Sequence, residues 1–133
     1  MKSPRPKNTF GITKNRILVV EAEEAIRDLL SYRISTMGYN ATFACNGKEG
    51  LECFQKGAYN LVISDLTMNA MDGLTMARLI KQKSPDTPII LMTGWSREEV
   101  LPKLKENAVD FTIFKPARFR VLREAIESFL SEF

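Results

Sequence analysis

The chain has 133 residues, of which 44% are hydrophobic and 26% charged, and this composition suits one globular domain with a substantial core. It contains no histidine, so catalysis by histidine and metal sites built on histidine are excluded. The two cysteines, Cys45 and Cys53, have neither disulfide-framework nor metal-site spacing, and we interpret them as reduced thiols. No apolar run is long enough to span a membrane. We therefore expect a cytoplasmic protein that does not bind membranes.

Positive charge is concentrated at the start of the chain. Residues 1–16 carry five basic residues and no acid, whereas the whole chain has a net charge of +3, so the remainder is slightly acidic. Pro4 and Pro6 interrupt this segment, which also lacks amphipathic spacing. We expect residues 1–14 to form a flexible leader or linker and residues 15–132 to form the single domain, without nucleic-acid binding.

Five apolar segments predict five β-strands. Most of them are continuous apolar runs, which is typical of strands buried on both faces of a parallel sheet. The predicted strands are Arg16–Val20, Asn40–Ala44, Leu61–Ile63, Pro88–Met92 and Asp110–Phe114.

Helical patterns follow each strand. The predicted helices open at Glu21–Glu24, about Lys48, Asp72–Gly73, the capping box Ser96–Glu99, and a last amphipathic segment that contains Phe119 and Leu130. The first helix is expected to stop at Gly38 and to bury an apolar stripe made of Ala25, Ile26, Leu29, Leu30, Ile34 and Met37. Pro102 falls in the second turn of the fourth helix, so we expect that helix to be kinked or short.

The alternation of strands and helices determines the predicted architecture. Strands joined through right-handed helical crossovers give a parallel sheet covered on both faces. We therefore predict an α/β fold, a single doubly wound three-layer sandwich with five parallel strands and five helices.

Chemically active side chains follow four of the predicted strands. Glu21 follows the first strand, Asp65 the third, Thr93 the fourth and Lys115 the fifth. Since the carboxyl ends of parallel strands share one edge of the sheet, we expect these side chains to meet there. A carboxylate can attack phosphorus, an ammonium can balance phosphoryl charge, and a hydroxyl can donate a hydrogen bond. The pattern favours phosphoryl transfer to a carboxylate.

Four motifs carry a resemblance to a known family. They are Ile17–Glu24 (ILVVEAEE), Leu61–Met68 with Met71–Gly73, Leu91–Gly94, and Phe114–Pro116. With them the chain resembles the response-regulator receiver domains of bacterial two-component signalling, including the chemotaxis regulator, over about residues 15–132. The resemblance implies a flavodoxin-like strand order of 2-1-3-4-5 and a cis peptide bond between Lys115 and Pro116.

The resemblance also implies roles for single residues. Asp65 matches the phosphoacceptor, Thr93 the hydroxyl residue that approaches the phosphoryl group, and Lys115 the phosphate-contacting lysine. Asp65 and the backbone carbonyl of Thr67 match ligands of Mg²⁺, and Glu21 would reach the ion weakly or through water. The implied phosphoryl donor is a histidine kinase or a histidine phosphotransfer protein, and the effector downstream is unknown.

Two of the places at which the sequence departs from the family affect its expected chemistry. The family usually has two adjacent acids after the first strand, whereas here Glu21 is followed by Ala22, whose methyl group cannot bind a metal; Mg²⁺ binding is therefore expected to be weak. Thr112 stands where the family commonly has an aromatic switch residue. The neighbouring Phe111 should point to the opposite face because side chains alternate along a strand.

Three functions remain open at this point. The first is a phosphoryl-accepting signalling module that is not an enzyme. The second is a receiver-like module that binds proteins without Mg²⁺-dependent phosphorylation, which Ala22 favours. The third is an aspartate-nucleophile phosphatase, but such enzymes carry a second aspartate two residues after the nucleophile, where this chain has Thr67. The sequence identifies neither the kinase nor the oligomeric state, nor whether the chain is a stand-alone protein or part of a hybrid kinase.

Overall fold

The sheet of this protein is fully parallel. The computed structural model describes residues 15–68, 71–106 and 108–130, so the proposed leader, residues 1–14, lies outside the described residues. The strands pair in the order β2-β1-β3-β4-β5, as the resemblance implied. Their bounds are β1 Arg16–Val20, β2 Asn40–Ala44, β3 Leu61–Asp65, β4 Ile89–Thr93 and β5 Phe111–Phe114.

A helix lies between each pair of successive strands, and a fifth helix follows the last strand. Their bounds are α1 Glu24–Thr36, α2 Gly47–Lys56, α3 Gly73–Lys83, α4 Arg97–Val100 and α5 Phe119–Leu130. The predicted three-layer α/β sandwich is thus confirmed. The first helix begins three residues later than the acidic segment suggested, and Glu21 belongs to the loop between β1 and α1. Gly38 follows that helix with a φ of 89°, a conformation that favours glycine.

The sheet is buried between two apolar layers. On one side α1 and α5 contribute Leu30, Ile34 and Ile126, which pack on β1 and β3. On the other side α3 contributes Met76 and Ile80, which pack on the opposite face of the same strands. Because β1, β3 and β4 are buried on both faces, their continuous apolar runs are explained and their register is strongly determined.

The predicted stripe of α1 is wrong at two positions. Leu29 is 55% exposed and Ala25 is also exposed, whereas Leu30 and Ile34 are buried. The buried side of this short helix is narrower than the spacing of its apolar residues suggested, because β1 and α5 cover only one stripe of it.

The fourth helix is short, as Pro102 predicted. The Ser96–Glu99 capping box is present, and each side chain accepts a hydrogen bond from the backbone of the other residue. After Val100 the chain continues as a 3₁₀ helix, Leu101–Glu106. Proline lacks the donor that a continued α-helix would require and clashes with the preceding turn, so the helix tightens at this point.

Gly73 allows α3 to begin directly behind the end of β3. Its N–H donates to the carbonyl oxygen of Leu66 (2.9 Å), and a Cβ atom at this position would collide with the carbonyl oxygen of Asp65. The Ser64 hydroxyl donates to that same carbonyl oxygen (2.8 Å). The absence of a side chain at residue 73 therefore determines where the Asp65 backbone lies.

We predict that Gly73→Ala lowers the free energy of unfolding by about 1–3 kcal/mol, because the added methyl group must displace the Asp65 backbone. Chemical denaturation of the two proteins measures the loss. Gly94→Ala is the matched control, since nothing lies within 4 Å of a Cβ atom there, and it should change stability by less than about 0.5 kcal/mol. Equal stability of wild type and Gly73→Ala would contradict the packing argument.

Candidate functional site

The strand register brings the predicted site residues to one edge of the sheet. Val20 of β1 lies opposite Ser64 of β3, so Glu21 follows β1 beside Asp65. On the other side of β3, Asp65 lies opposite Met92, the residue before Thr93. Thr93 pairs with Phe114, and the N–H of Lys115 donates to the carbonyl oxygen of Thr93 (2.7 Å). Parallel pairing therefore places all four side chains at neighbouring strand ends, as the sequence predicted.

Asp65 is partly buried and lies beside an ammonium group. The Nζ atom of Lys115 lies 3.7 Å from Oδ2 of Asp65, and the two side chains are 29% and 18% exposed. This distance exceeds that of a hydrogen bond, so Lys115 acts on the carboxylate through its charge. Oδ1 of Asp65 instead accepts the Leu66 N–H at 2.8 Å. The Lys115–Pro116 peptide bond is cis, as the resemblance implied.

Glu21 is the most buried acid of the site. It is 4% exposed, and its Oε2 atom accepts the N–H of Glu23 at 3.0 Å. Burial raises the pKa of the Glu21 carboxyl group above its usual value; the Glu23 hydrogen bond lowers it, the charge of Asp65 raises it further, and Lys115 lowers it. The register of β1 and β3 places Glu21 next to Asp65, which is why the charge of Asp65 acts on the Glu21 carboxyl group.

Thr93 is fully buried at the end of β4. Its Oγ1 atom accepts the N–H of Trp95 at 3.0 Å. A hydroxyl group that accepts one hydrogen bond retains its own proton for donation. Thr93 can therefore donate to a third group at this edge while the turn to Trp95 remains intact.

The oxygen atoms available for a cation come from few residues. Two carboxylates, those of Glu21 and Asp65, lie at the edge of the sheet, while Ala22 has no ligand atom and Glu23 is exposed. Among the residues that the structure describes, no group of three or more acids, cysteines or histidines is close enough to form a metal site. Hard oxygen ligands suit Mg²⁺, which commonly keeps several waters, so the donor set fits this ion in type although it has few anionic ligands.

The loop after β3 also borders a groove of about 460 Å³. Leu66, Thr67, Trp95 and Pro102 are among the residues that line it. Trp95 is 38% exposed, and the ammonium of Lys103 lies 5.7 Å from its ring centroid. Trp95 thus shares a groove with the residues that directly follow Asp65.

One contact of the site was not predicted from the sequence. The guanidinium group of Arg27, on α1, donates to the carbonyl oxygens of Glu21 (2.9 Å) and Ala22 (3.0 Å). An arginine near the start of a helix has many possible partners, and no motif pairs it with carbonyls five and six residues earlier. Only the structure shows that the Arg27 side chain reaches back from α1 to these two carbonyls.

The residues at the predicted switch position follow the alternation of β5. Phe111 is 44% exposed, and Ile113, on the same side of the strand, packs against the layer of α1 and α5. Phe114 belongs to the opposite layer and lies under the Arg97 guanidinium, 4.4 Å from ring centroid to Cζ. Thr112 lies on this second side, and Phe111 does not replace an aromatic residue there.

The fold and the four strand ends together define a flavodoxin-like α/β protein with a carboxylate, a hydroxyl and an ammonium at one edge. Comparison with known proteins agrees: residues 17–127 match the response regulator receiver domain family. The chain belongs to this family. Members of the family typically accept phosphoryl groups, bind Mg²⁺ and are not catalytic, and they serve two-component systems in bacteria.

Solved structures of receiver-type proteins are similar to this chain in sequence and fold. The response regulator TrrA of Thermotoga maritima, crystallised with Mg²⁺-BeF, is 38% identical, with a TM-score of 0.81 over 87% of this chain and 99% of that one. A signal receiver domain of a histidine kinase from Syntrophus aciditrophicus is 29% identical, with a TM-score of 0.80 over 88% of this chain and 90% of that one.

Curated relatives are longer. The probable transcriptional regulator ycf27 of Cyanidium caldarium is 34% identical over 95% of this chain, but the chain spans only 50% of its length. The sensor kinase/phosphatase LuxN of Vibrio campbellii is 29% identical over 87% of this chain and 14% of its own length. No helix among the described residues is long and apolar enough to cross a membrane.

We predict that Glu21→Gln stabilises the protein at high pH when divalent cations are absent. The pKa of Glu21 is higher in the folded protein than in the unfolded chain, so the unfolded chain releases this proton first as the pH rises. The wild type therefore loses stability as the pH rises above the usual pKa of a carboxyl group. The gain in the free energy of unfolding should be small near about pH 4 and largest near about pH 8.

Urea denaturation at several pH values measures this difference. The control is Glu124→Gln, which removes an exposed acid from α5 and should show no such trend. A gain for Glu21→Gln that is the same at every pH would show that the charge of Glu21 is not the cause.

Proposed function

We propose that the chain accepts a phosphoryl group on Asp65 from a histidine kinase or a histidine phosphotransfer protein. The observation that supports this proposal best is the Asp65 carboxylate at the end of β3, with Oδ2 facing the Lys115 ammonium at 3.7 Å. Its other oxygen is held by the Leu66 N–H. One oxygen is therefore oriented, and the other faces a cation at the edge of the sheet.

In the proposed reaction a carboxylate oxygen of Asp65 attacks phosphorus. A P–O bond forms, the bond from phosphorus to the donor nitrogen breaks, and the donor imidazole keeps the bonding electron pair. The product is an acyl phosphate. Lys115 balances negative charge on the phosphoryl oxygens, and Thr93 donates its hydroxyl proton to one of them. Thr93 ends β4, the strand beside β3, and Lys115 follows β5, the next strand of the sheet.

Mg²⁺ would be held by the Asp65 carboxylate and the Thr67 carbonyl, with Glu21 reaching it weakly or through water. When bound, the ion neutralises charge on the phosphoryl oxygens. The Glu21 carboxylate is oriented by the Glu23 N–H, and the side chain of Ala22 has no oxygen to offer. Water must fill the place of the missing acid, and we propose that the affinity for Mg²⁺ is low.

The wider role of the chain follows from this reaction. We propose that residues 15–132 form the receiver unit and residues 1–14 a leader or linker, and that the chain works in the bacterial cytoplasm as a signalling module and not as an enzyme. The phosphorylated face would be recognised by an effector protein. Neither nucleic acid nor membrane is proposed as a direct partner of this unit.

Asp65→Asn should abolish phosphorylation while the fold is retained, because the amide lacks the nucleophilic oxygen and has nearly the same shape. The test is incubation with a small phosphodonor and Mg²⁺, followed by mass spectrometry for an acid-stable, base-labile phosphate. Asp86→Asn, at an exposed turn, is the control and should be labelled like the wild type. Labelling that survives in Asp65→Asn would refute the assignment of the phosphoacceptor.

Ala22→Asp should bind Mg²⁺ at least about tenfold more tightly than the wild type. A unit charge about 4 Å from a divalent ion in water contributes roughly 2 kcal/mol, twice the value for two unit charges. The fluorescence of Trp95, titrated with Mg²⁺, reports the affinity.

Ala25→Asp is the matched control for this titration, because it adds the same charge at an exposed position of α1 and should have little effect. Equal affinities of Ala22→Asp and wild type would mean that Ala22 does not limit the metal site.

A further inference from the structure

The loop between β1 and α1 is held by a side chain of the helix that follows it. The Nη1 atom of Arg27 donates to the carbonyl oxygens of Glu21 at 2.9 Å and of Ala22 at 3.0 Å. The backbone N–H of Arg27 also donates to the carbonyl oxygen of Glu23 at 3.0 Å. One residue of α1 therefore binds three successive carbonyl groups of the loop.

Glu21 needs such support. The residue is 4% exposed, and the register of β1 and β3 places it beside the negative charge of Asp65. Burial and like charge both favour a conformation in which this side chain turns towards water. The N–H of Glu23 opposes that movement only while the backbone from Glu21 to Glu23 keeps its present path.

Ala22 cannot stabilise that path. Its side chain is a methyl group and is exposed, so residue 22 is held only through its backbone. On the β1 side, the N–H of Glu21 donates to the carbonyl oxygen of Ala44 at 3.0 Å. On the α1 side, the loop backbone is held by the hydrogen bonds from the Arg27 guanidinium group.

We propose that Arg27 is a positioning residue that holds the β1–α1 loop so that the Glu21 carboxylate faces Asp65. It does so through a permanent cation bound to two carbonyl groups, and it does not touch the reacting atoms. The effect on Mg²⁺ and phosphorylation rests on the proposed function, whereas the effect on the Glu21–Glu23 hydrogen bond does not.

An arginine is suited to this role because its planar guanidinium group carries several donors in a fixed arrangement, which can bridge two neighbouring carbonyls. Lysine offers a single rotatable ammonium group on a flexible stem. Arg27→Lys should therefore rescue part of the function that Arg27→Ala loses.

The first measurement is the amide exchange rate of Glu23 by NMR, in the absence of Mg²⁺. Removal of the guanidinium should let the loop relax, and the exchange rate in Arg27→Ala should rise roughly three- to tenfold, the range expected for loss of one hydrogen bond. Arg27→Lys should lie in between. Arg33→Ala is the matched control, because Arg33 is also on α1 but lies over the Phe119 ring, 4.8 Å from its centroid.

The second measurement is the Mg²⁺ concentration that gives half-maximal phosphorylation of Asp65 by a small phosphodonor. Arg27→Ala should raise this concentration several-fold, with little change in the rate at saturating Mg²⁺. If Arg27 acts through Glu21, Arg27→Ala should not raise this Mg²⁺ concentration any further in a protein that already carries Glu21→Gln. If Arg27→Ala instead causes a general loss of structure, its effect should add to that of Glu21→Gln.

The outcomes separate the two proposals. Two results would overturn the role of Arg27. One is a Glu23 amide exchange rate that is unchanged in Arg27→Ala. The other is an Arg27→Ala effect on the Mg²⁺ requirement that is as large in the Glu21→Gln background as in the wild type. A wild-type protein that is never labelled would overturn the proposed function, and the exchange rates would still decide the role of Arg27. If Arg27→Ala fails to fold, Arg27→Lys gives the same exchange comparison in a folded chain.

Discussion

Two carboxylates at adjacent strand ends impose the main physical constraint on this protein. The register of β1 and β3 places Glu21 beside Asp65, and both side chains are largely removed from water. Like charges in such a setting destabilise each other. The Lys115 ammonium, the Leu66 N–H and the Glu23 N–H each offset part of this cost. The edge of the sheet is therefore a cluster of opposite charges and hydrogen bonds in which each acid has a compensating partner.

The rest of the fold keeps this cluster in place. Strands β1, β3 and β4 are buried on both faces, so a shift in register would move apolar side chains out of the core. The carboxyl ends of these strands are consequently located to within one residue. Behind β3, the close approach of Gly73 to the Asp65 backbone determines the position of the loop, and the fully buried Thr93 is held through its hydrogen bond from Trp95.

Much of the fold could be predicted because the signals were local or periodic. The apolar runs of the strands and the break caused by Pro102 each follow from one short segment. The exposure of Leu29 could not be predicted, since it depends on how little of α1 the sheet and α5 cover. The site residues could be placed at one edge by topology alone. The Arg27 contact could not, because it requires the angle at which α1 leaves the loop.

The loss of an acid at residue 22 has two opposing electrostatic consequences. With only Glu21 and Asp65 facing Lys115, the site carries less negative charge than one with a third acid, so it attracts a divalent cation less strongly. The same reduction lowers the repulsion among the acids when no cation is bound, and Arg27 adds a positive charge against the carbonyls of the loop. An alanine at residue 22 therefore weakens the electrostatic attraction of this pocket for a divalent cation and, by the same amount of charge, weakens the repulsion within the metal-free pocket.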